Sequence, residues 1–146
     1  MRMTSLDPKC GYTVSSEAPA LASFLSLRAT AGWGNISATL AEESLANTLF
    51  IATIYAEGQL LAMGRIVGDG ALFYYIQDVV VRPDFQGRGY GRTVMEMLDQ
   101  YIQREAKAGS TVGLFSAQGK EHFYSAFDYL KRCGKPLGYG MSKFVV

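Results

Sequence analysis

The stretch VVVRPDFQGRGYGRTVMEML, Val79 to Leu98, constrains the chain more than any other. A β-branched run stops at Pro83. Glycines then stand at 87, 89 and 91, with Arg88 and Arg92 among them. Val94, Leu98, Tyr101 and Ile102 follow at i, i+4, i+7 and i+8, the spacing of a one-sided helix that Gly109 ends. The first N–H groups of a helix have no partner inside it. A chain that enters a helix through glycines, with no Ser, Asp or Asn to cap it, leaves those donors open to an anion.

Three other readings of the glycines fall short. A dinucleotide fingerprint needs G-x-G-x-x-G and an acidic residue about twenty positions on. Here the spacing is G-x-G-x-G, and residues 106–120 contain no Asp or Glu. A phosphate loop of the G-x-x-x-x-G-K-[ST] type lacks its lysine. A generic glycine-rich turn explains neither arginine. A pyrophosphate cradle uses every feature: close main-chain approach at the glycines, the helix dipole, charge from Arg88 and Arg92, and the Thr93 hydroxyl.

The rest of the chain supplies a frame for such a cradle. Gly11–Ser15 reads as a short strand. Ala18–Ala29 and Ile36–Ala46 read as helices, with Ser16 and Glu17 as capping candidates for the first and Gly32-Trp33-Gly34 between the two. From Leu49 the period shortens to that of strands. Turns at Glu57-Gly58 and Gly68-Asp69-Gly70 then predict an antiparallel meander whose last member, Ala71–Val81, is apolar enough to be buried on both faces. Thr111–Ser116 reads as a strand parallel to that member, by a right-handed crossover through the glycine-led helix. A helix over Gly119–Phe127 is predicted, with Phe123, Phe127 and Leu130 as its apolar stripe. The tail, residues 130–146, is expected to close as one or two strands. Its end, KFVV, is suited to completing the sheet or to exchange between protomers in a homodimer. The fold class is α+β, a mixed α/β sandwich with an antiparallel front half and one βαβ unit.

Composition narrows the function. At 146 residues and 49% hydrophobic content the chain, residues 1–146, is expected to be one domain with a real core. A net charge of +1 carries no footprint for nucleic acid or for an anionic membrane. It also argues against an acidic acceptor surface for polyamines or basic tails. No apolar run reaches membrane-spanning length, and the N-terminus lacks a secretory h-region. Cys10 and Cys133 are therefore expected to be reduced thiols in a cytoplasmic protein. The sole histidine, His122, has no Cys or carboxylate at ligand spacing, so no metal site is expected.

Gln86-Gly87-Arg88-Gly89-Tyr90-Gly91 resembles the Q/R-x-x-G-x-G/A motif of the Gcn5-related N-acetyltransferase (GNAT) superfamily, and the preceding Val-Val-Val-Arg-Pro resembles that family's fourth strand. The order of elements is similar over most of the chain. The resemblance implies a central mixed sheet of six to seven strands with about four helices. It implies acetyl-CoA held with its pyrophosphate on Gln86, Gly87, Arg88, Gly89, Tyr90, Gly91, Arg92 and Thr93. The pantetheine arm would pair with Val79, Val80 and Val81 like an added strand. It further implies acetyl transfer to a primary amine of a small molecule, or of a peptide, by direct transfer in a ternary complex. The alternative is a CoA-binding regulatory module of the same fold with little catalysis.

Making an amide from a thioester requires a neutral amine, a donor for the oxyanion and a proton for the leaving thiolate. The resemblance implies a main-chain donor near Val79 or Val80, freed by a bulge, and Tyr124 as the acid. A phenol pKa of about 10 suits delivery to a thiolate. Where the family often has F-G-F, this chain has Phe127-Asp128-Tyr129. The glutamate some members use as base falls at about Tyr75, a poor base. Asp78 is the only carboxylate of its strand, and alternation predicts it on the face opposite Tyr75 and Gln77. The candidates for base are Asp78, and water relayed through Gln77 or a tyrosine. In this family the Trp33 connection borders the acceptor pocket, so Trp33, Tyr75 and Gln77 are the expected acceptor contacts. Trp33 serves equally well as a core anchor, and Glu42 and Glu43 read as a solvated helix face.

Overall fold

A computed structural model describes residues 5–7 and 11–146 of the protein, with side chains from residue 11 onward. Among the described residues, six strands form one sheet in chain order: β1 (Ser5–Asp7), β2 (Tyr12–Ser15), β3 (Phe50–Ala56), β4 (Gln59–Gly68), β5 (Phe73–Val81) and β6 (Thr111–Leu114). The first five are antiparallel neighbours and β6 runs parallel to β5. Helices α1 (Leu21–Thr30) and α2 (Ala38–Ala46) cover one face. Helix α3 (Tyr90–Glu105) covers the other, and α4 (Glu121–Ser125) follows β6. None of the described helices is long and apolar enough to cross a membrane.

The meander forms where its turns predict. Glu57 and Gly58 both have positive φ, 49° and 75°, as a two-residue hairpin turn demands. Helix α2 starts at Ser37, whose hydroxyl accepts from the Leu40 N–H at 3.1 Å. Helix α1 starts later than its sequence pattern indicates, and neither Ser16 nor Glu17 caps it; its N-cap is Ala20.

Two apolar cores result. Ala62, Ile66, Tyr74 and Ile76 pack against Val94 and Leu98 of α3, while Phe24 and Leu27 of α1 pack with Leu60, Met63 and Val80. Gly64 sets the distance between β4 and α3. A Cβ there would stand 2.7 Å from Val94 Cγ1 and 2.9 Å from Leu98 Cδ1, and both side chains are fully buried with nowhere to retreat. Gly64→Ala is expected to cost about 1–3 kcal/mol by overpacking. The test is urea unfolding: the midpoint should fall at unchanged slope. An unchanged midpoint would show that α3 can lift from the sheet freely.

Four local expectations are corrected. β5 is not buried on both faces; exposure alternates along it, and Phe73 at its start is exposed. Helix α4 is only five residues long, and Leu130 is 90% exposed, so the stripe reduces to Phe123 and Phe127. The tail forms no strand after α4. Gly134, Pro136, Gly138 and Gly140 interrupt it, with proline lacking a ladder donor. Phe144, Val145 and Val146 remain exposed instead of completing the sheet. Helix α3 begins at Tyr90, so the last glycine of the cluster lies within its first turn. Cys10 lies outside the described residues; Cys133 is an exposed free thiol.

Candidate active site

β5 and β6 pair from Phe73↔Thr111 to Ile76↔Leu114 and then part, while β5 runs on to Val81. The gap opens into a groove of about 510 Å³. One wall is Val79–Val81 with Gln86, Gly87 and Gly89–Arg92; the other is Ala117, Lys120, Phe123 and Tyr124, with Thr30, Ala31 and Trp33 at one end. The strand tail, the glycine cluster, Tyr124 and Trp33 thus face one space.

The glycine cluster is shaped as an open cradle. Gly87 and Gly89 have φ of 78° and 86°, and nothing lies within 4 Å of where a Cβ would stand on either. Gly89 is the N-cap of α3 and no side chain caps the helix. Free N–H donors and the positive end of a sixteen-residue helix therefore face the groove. The Gln86 amide donates to the Val81 carbonyl at 3.1 Å and Arg82 Nε donates to the Leu60 carbonyl at 2.8 Å, so the turn is tied to the ends of β5 and β4. The expected side-chain donors are engaged elsewhere. Thr93 Oγ1 donates back to the Gly89 carbonyl at 3.2 Å, Arg92 Nε meets Glu96 at 3.0 Å on the surface, and Arg88 lies over the Phe85 ring at 5.1 Å. Arg88 and Thr93 do not line the groove; Lys120 does. Sequence reasoning missed Lys120, although a lysine between β6 and α4 is a legible cation.

β5 carries a bulge. Its register passes from Arg65↔Gln77 to Met63↔Val80, so Asp78 and Val79 together oppose Gly64. Asp78 has φ of 55°, a conformation that Asp and Asn tolerate better than other non-glycine residues. The bulge reverses the alternation of the strand. Tyr74 and Ile76 belong to the α3-side core before it, as do Val79 and Val81 after it, while Val80 turns to the α1 side. The expectation that Asp78 and Gln77 occupy opposite faces is corrected: Gln77 Nε2 donates to Asp78 Oδ1 at 3.3 Å.

Asp78 is 3% exposed and sits between two guanidiniums. Oδ1 accepts from Arg28 of α1, and Oδ2 from Arg65 Nε of β4 at 2.8 Å. Arg65 continues to the Ser44 carbonyl and hydroxyl, both at 3.0 Å, and to Thr48 Oγ1 at 2.8 Å. The assignment of Asp78 as general base is therefore withdrawn. Both its oxygens are occupied, its side chain is fully buried, and it does not line the groove.

Tyr124 is half-buried in the groove wall, and burial, then the nearby Tyr75, raises its phenol pKa above the ordinary value. Burial raises Tyr75 as well, against a lowering backbone hydrogen bond at Phe115. Tyr129 behind them is pushed up to about 12 by burial foremost. Tyr75 packs edge-on against the Phe115 ring and does not line the groove; nor does Gln77. Of the three expected acceptor contacts, Trp33 alone lines it, 41% exposed and stacked over Arg28 at 5.3 Å. Among the described residues no group of His, Cys, Asp and Glu comes together to hold a metal.

The sequence profile of the Acetyltransferase (GNAT) family matches residues 18–135. The chain is 36% identical over 76 residues to the uncharacterized N-acetyltransferase ycf52 of Pyropia yezoensis, which is 52% of this chain and 42% of that protein. It is 37% identical over 67 residues to chloroplastic serotonin N-acetyltransferase 2 of Oryza sativa subsp. japonica, 46% of this chain and 32% of that one. Each match thus spans less than half of the relative. A crystal structure of a protein of unknown function and probable acetyltransferase from meticillin-resistant Staphylococcus aureus superposes with a TM-score of 0.83, at 28% identity, over 91% of this chain and 99% of that one.

Proposed function

Because this chain belongs to the acetyltransferase (GNAT) family, we propose that it moves an acetyl group from acetyl-CoA to a primary amine of a small molecule or peptide, with both substrates bound together. The observation that carries the reading is the meeting, in one groove, of an uncapped helix N-terminus built on Gly87 and Gly89 and the phenol of Tyr124. When bound, acetyl-CoA supplies an acetyl group activated as a thioester. The residues present fit it: the open cradle would take the pyrophosphate on main-chain N–H groups, Lys120 in the groove lining would add a cation, and Val79–Val81 would offer an unpaired strand edge to the arm.

The transfer joins the amine nitrogen to the acetyl carbonyl carbon and breaks the carbon–sulfur bond. One proton leaves the nitrogen and one reaches the sulfur. Tyr124, which lines the groove and is protonated at neutral pH, supplies the second; the burial that raises its pKa also makes it a weaker acid, so the transfer relies on its position beside the developing thiolate. None of the groove-lining residues carries a carboxylate or an imidazole, so water takes the first. Trp33 presents its ring at the groove's end, which suits an aromatic amine, in keeping with the serotonin acetyltransferase among the relatives.

A panel of aromatic and small aliphatic amines, followed by release of free thiol, tests this. Tyr124→Phe is expected to lower kcat by about 10²–10⁴, the range for one general acid, while CoA still raises the melting temperature. The same absence of a groove carboxylate favours one other reading, a CoA-binding module with little turnover. No thiol release with any amine, together with an unaltered Tyr124→Phe protein, would select that reading.

A further inference from the structure

Among the described residues, the buried charges Arg65 and Asp78, with the partly buried Arg28, form a cluster that the groove itself does not absorb. It joins three elements, α1, β4 and β5, and through Ser44 and Thr48 it reaches the end of α2. Its single carboxylate stands at the bulge, on the residue whose positive φ reverses the strand. The Nε of Arg28 is buried with no partner. Its guanidinium is fixed between the Phe24 and Trp33 rings, 5.9 and 5.3 Å away. The residues that follow Asp78, Val79 and Val80, line the groove.

We infer that Arg28 and Arg65 are positioning residues for the transfer reaction: through Asp78 they lock the bulge, and so fix where the Val79 and Val80 main chain meets the reacting carbonyl. This rests on the acetyl-transfer reading above. A strand with no clamp would relax to regular pairing, because two residues opposing one leaves ladder groups unpaired and Asp78 in a sparsely populated conformation. Two guanidiniums gripping one carboxylate from both sides hold the reversed phase. Arg28 also ties the bulge to Trp33, so the wall that receives the amine and the strand that receives the thioester are set by one side chain.

The test uses the full chain carrying Asp78→Asn, which keeps shape and tolerance of positive φ while removing the charge, and Arg28→Lys, which keeps the charge but not the paired geometry. Misplacing a main-chain oxyanion donor costs about 10²–10³ in kcat, so Asp78→Asn is expected to lose about a hundredfold in kcat with the KM for acetyl-CoA little changed. Arg28→Lys is expected to fall between it and the parent. In amide NMR, the Val79 and Val80 signals should move in both variants and lose their response to CoA, while Gly87, Gly89 and Gly91 keep theirs. A purely structural cluster would lower the melting temperature and leave kcat per folded molecule and those two signals as in the parent; that result overturns the inference. If Asp78→Asn does not fold, Arg28→Lys decides alone on the same readouts. The NMR readout needs no turnover. A parent that acetylates nothing while the Val79 and Val80 signals respond as described refutes the catalytic reading and supports the clamp.

Discussion

Gly89→Val is expected to abolish stabilisation by CoA. In the parent, ligand at a hundredfold excess over its dissociation constant should add about 2.7 kcal/mol to stability, seen as a melting temperature several degrees higher. In the variant that shift should vanish. The valine Cβ itself would meet no protein atom within 4 Å. It would stand in the cradle, where the main chain needs to be bare, and it would strain a residue at φ 86° by about 1–3 kcal/mol. Gly109→Val separates the two effects. Gly109 also has positive φ, 99°, and open space around it, but lies at the far end of α3. That variant should show the strain and keep the shift. A CoA shift surviving in Gly89→Val would remove the pyrophosphate from this loop.

The second large effect is on stability. Removing Asp78 leaves Arg65, 4% exposed, and Arg28 facing each other without a counter-charge. Breaking a buried pair in this way costs about 3–5 kcal/mol, a large part of the margin by which a domain this size is folded. Asp78→Ala should therefore unfold at much lower urea. Replacing the whole cluster, with Arg28→Met, Arg65→Met and Asp78→Asn together, should recover most of the loss, because the desolvated charges disappear with their partner. The exposed pair of Arg92 and Glu96 is the contrast: Arg92→Ala should cost under about 1 kcal/mol. A loss of that small size in Asp78→Ala would mean the cluster is not energetically tight.

The parts legible in the sequence are those written in local spacing. The turns at Glu57-Gly58 and Gly68-Asp69 mark the meander because they need particular backbone conformations, and Gly87 and Gly89 mark the cradle for the same reason. The family motif and Tyr124 follow from order along the chain. The bulge was implied by the family resemblance alone, because the pattern of FYYIQDVVV reads as one regular strand. Its phase reverses at Asp78, just before three valines that suit either face equally. The fate of Asp78 was illegible for a further reason: its partners stand 13 and 50 residues away, and nothing local to Arg28 or Arg65 announces them. The tail misled because its last residues, KFVV, read as strand, while the glycines and proline before them prevent a ladder.

The parting of β5 from β6 has a cost that the ligand-free protein bears. From Gln77 to Val81 one side of a central strand lacks a neighbour, and such an edge is a template for another chain. Sheets that leave edges bare invite stacking into fibres. Here the bare edge lines the same groove as Lys120, Phe123 and Tyr124 around α4 and as Trp33 on the α1–α2 loop, so side chains stand beside it. A strand laid along that edge by a ligand would complete the ladder that β6 leaves unfinished.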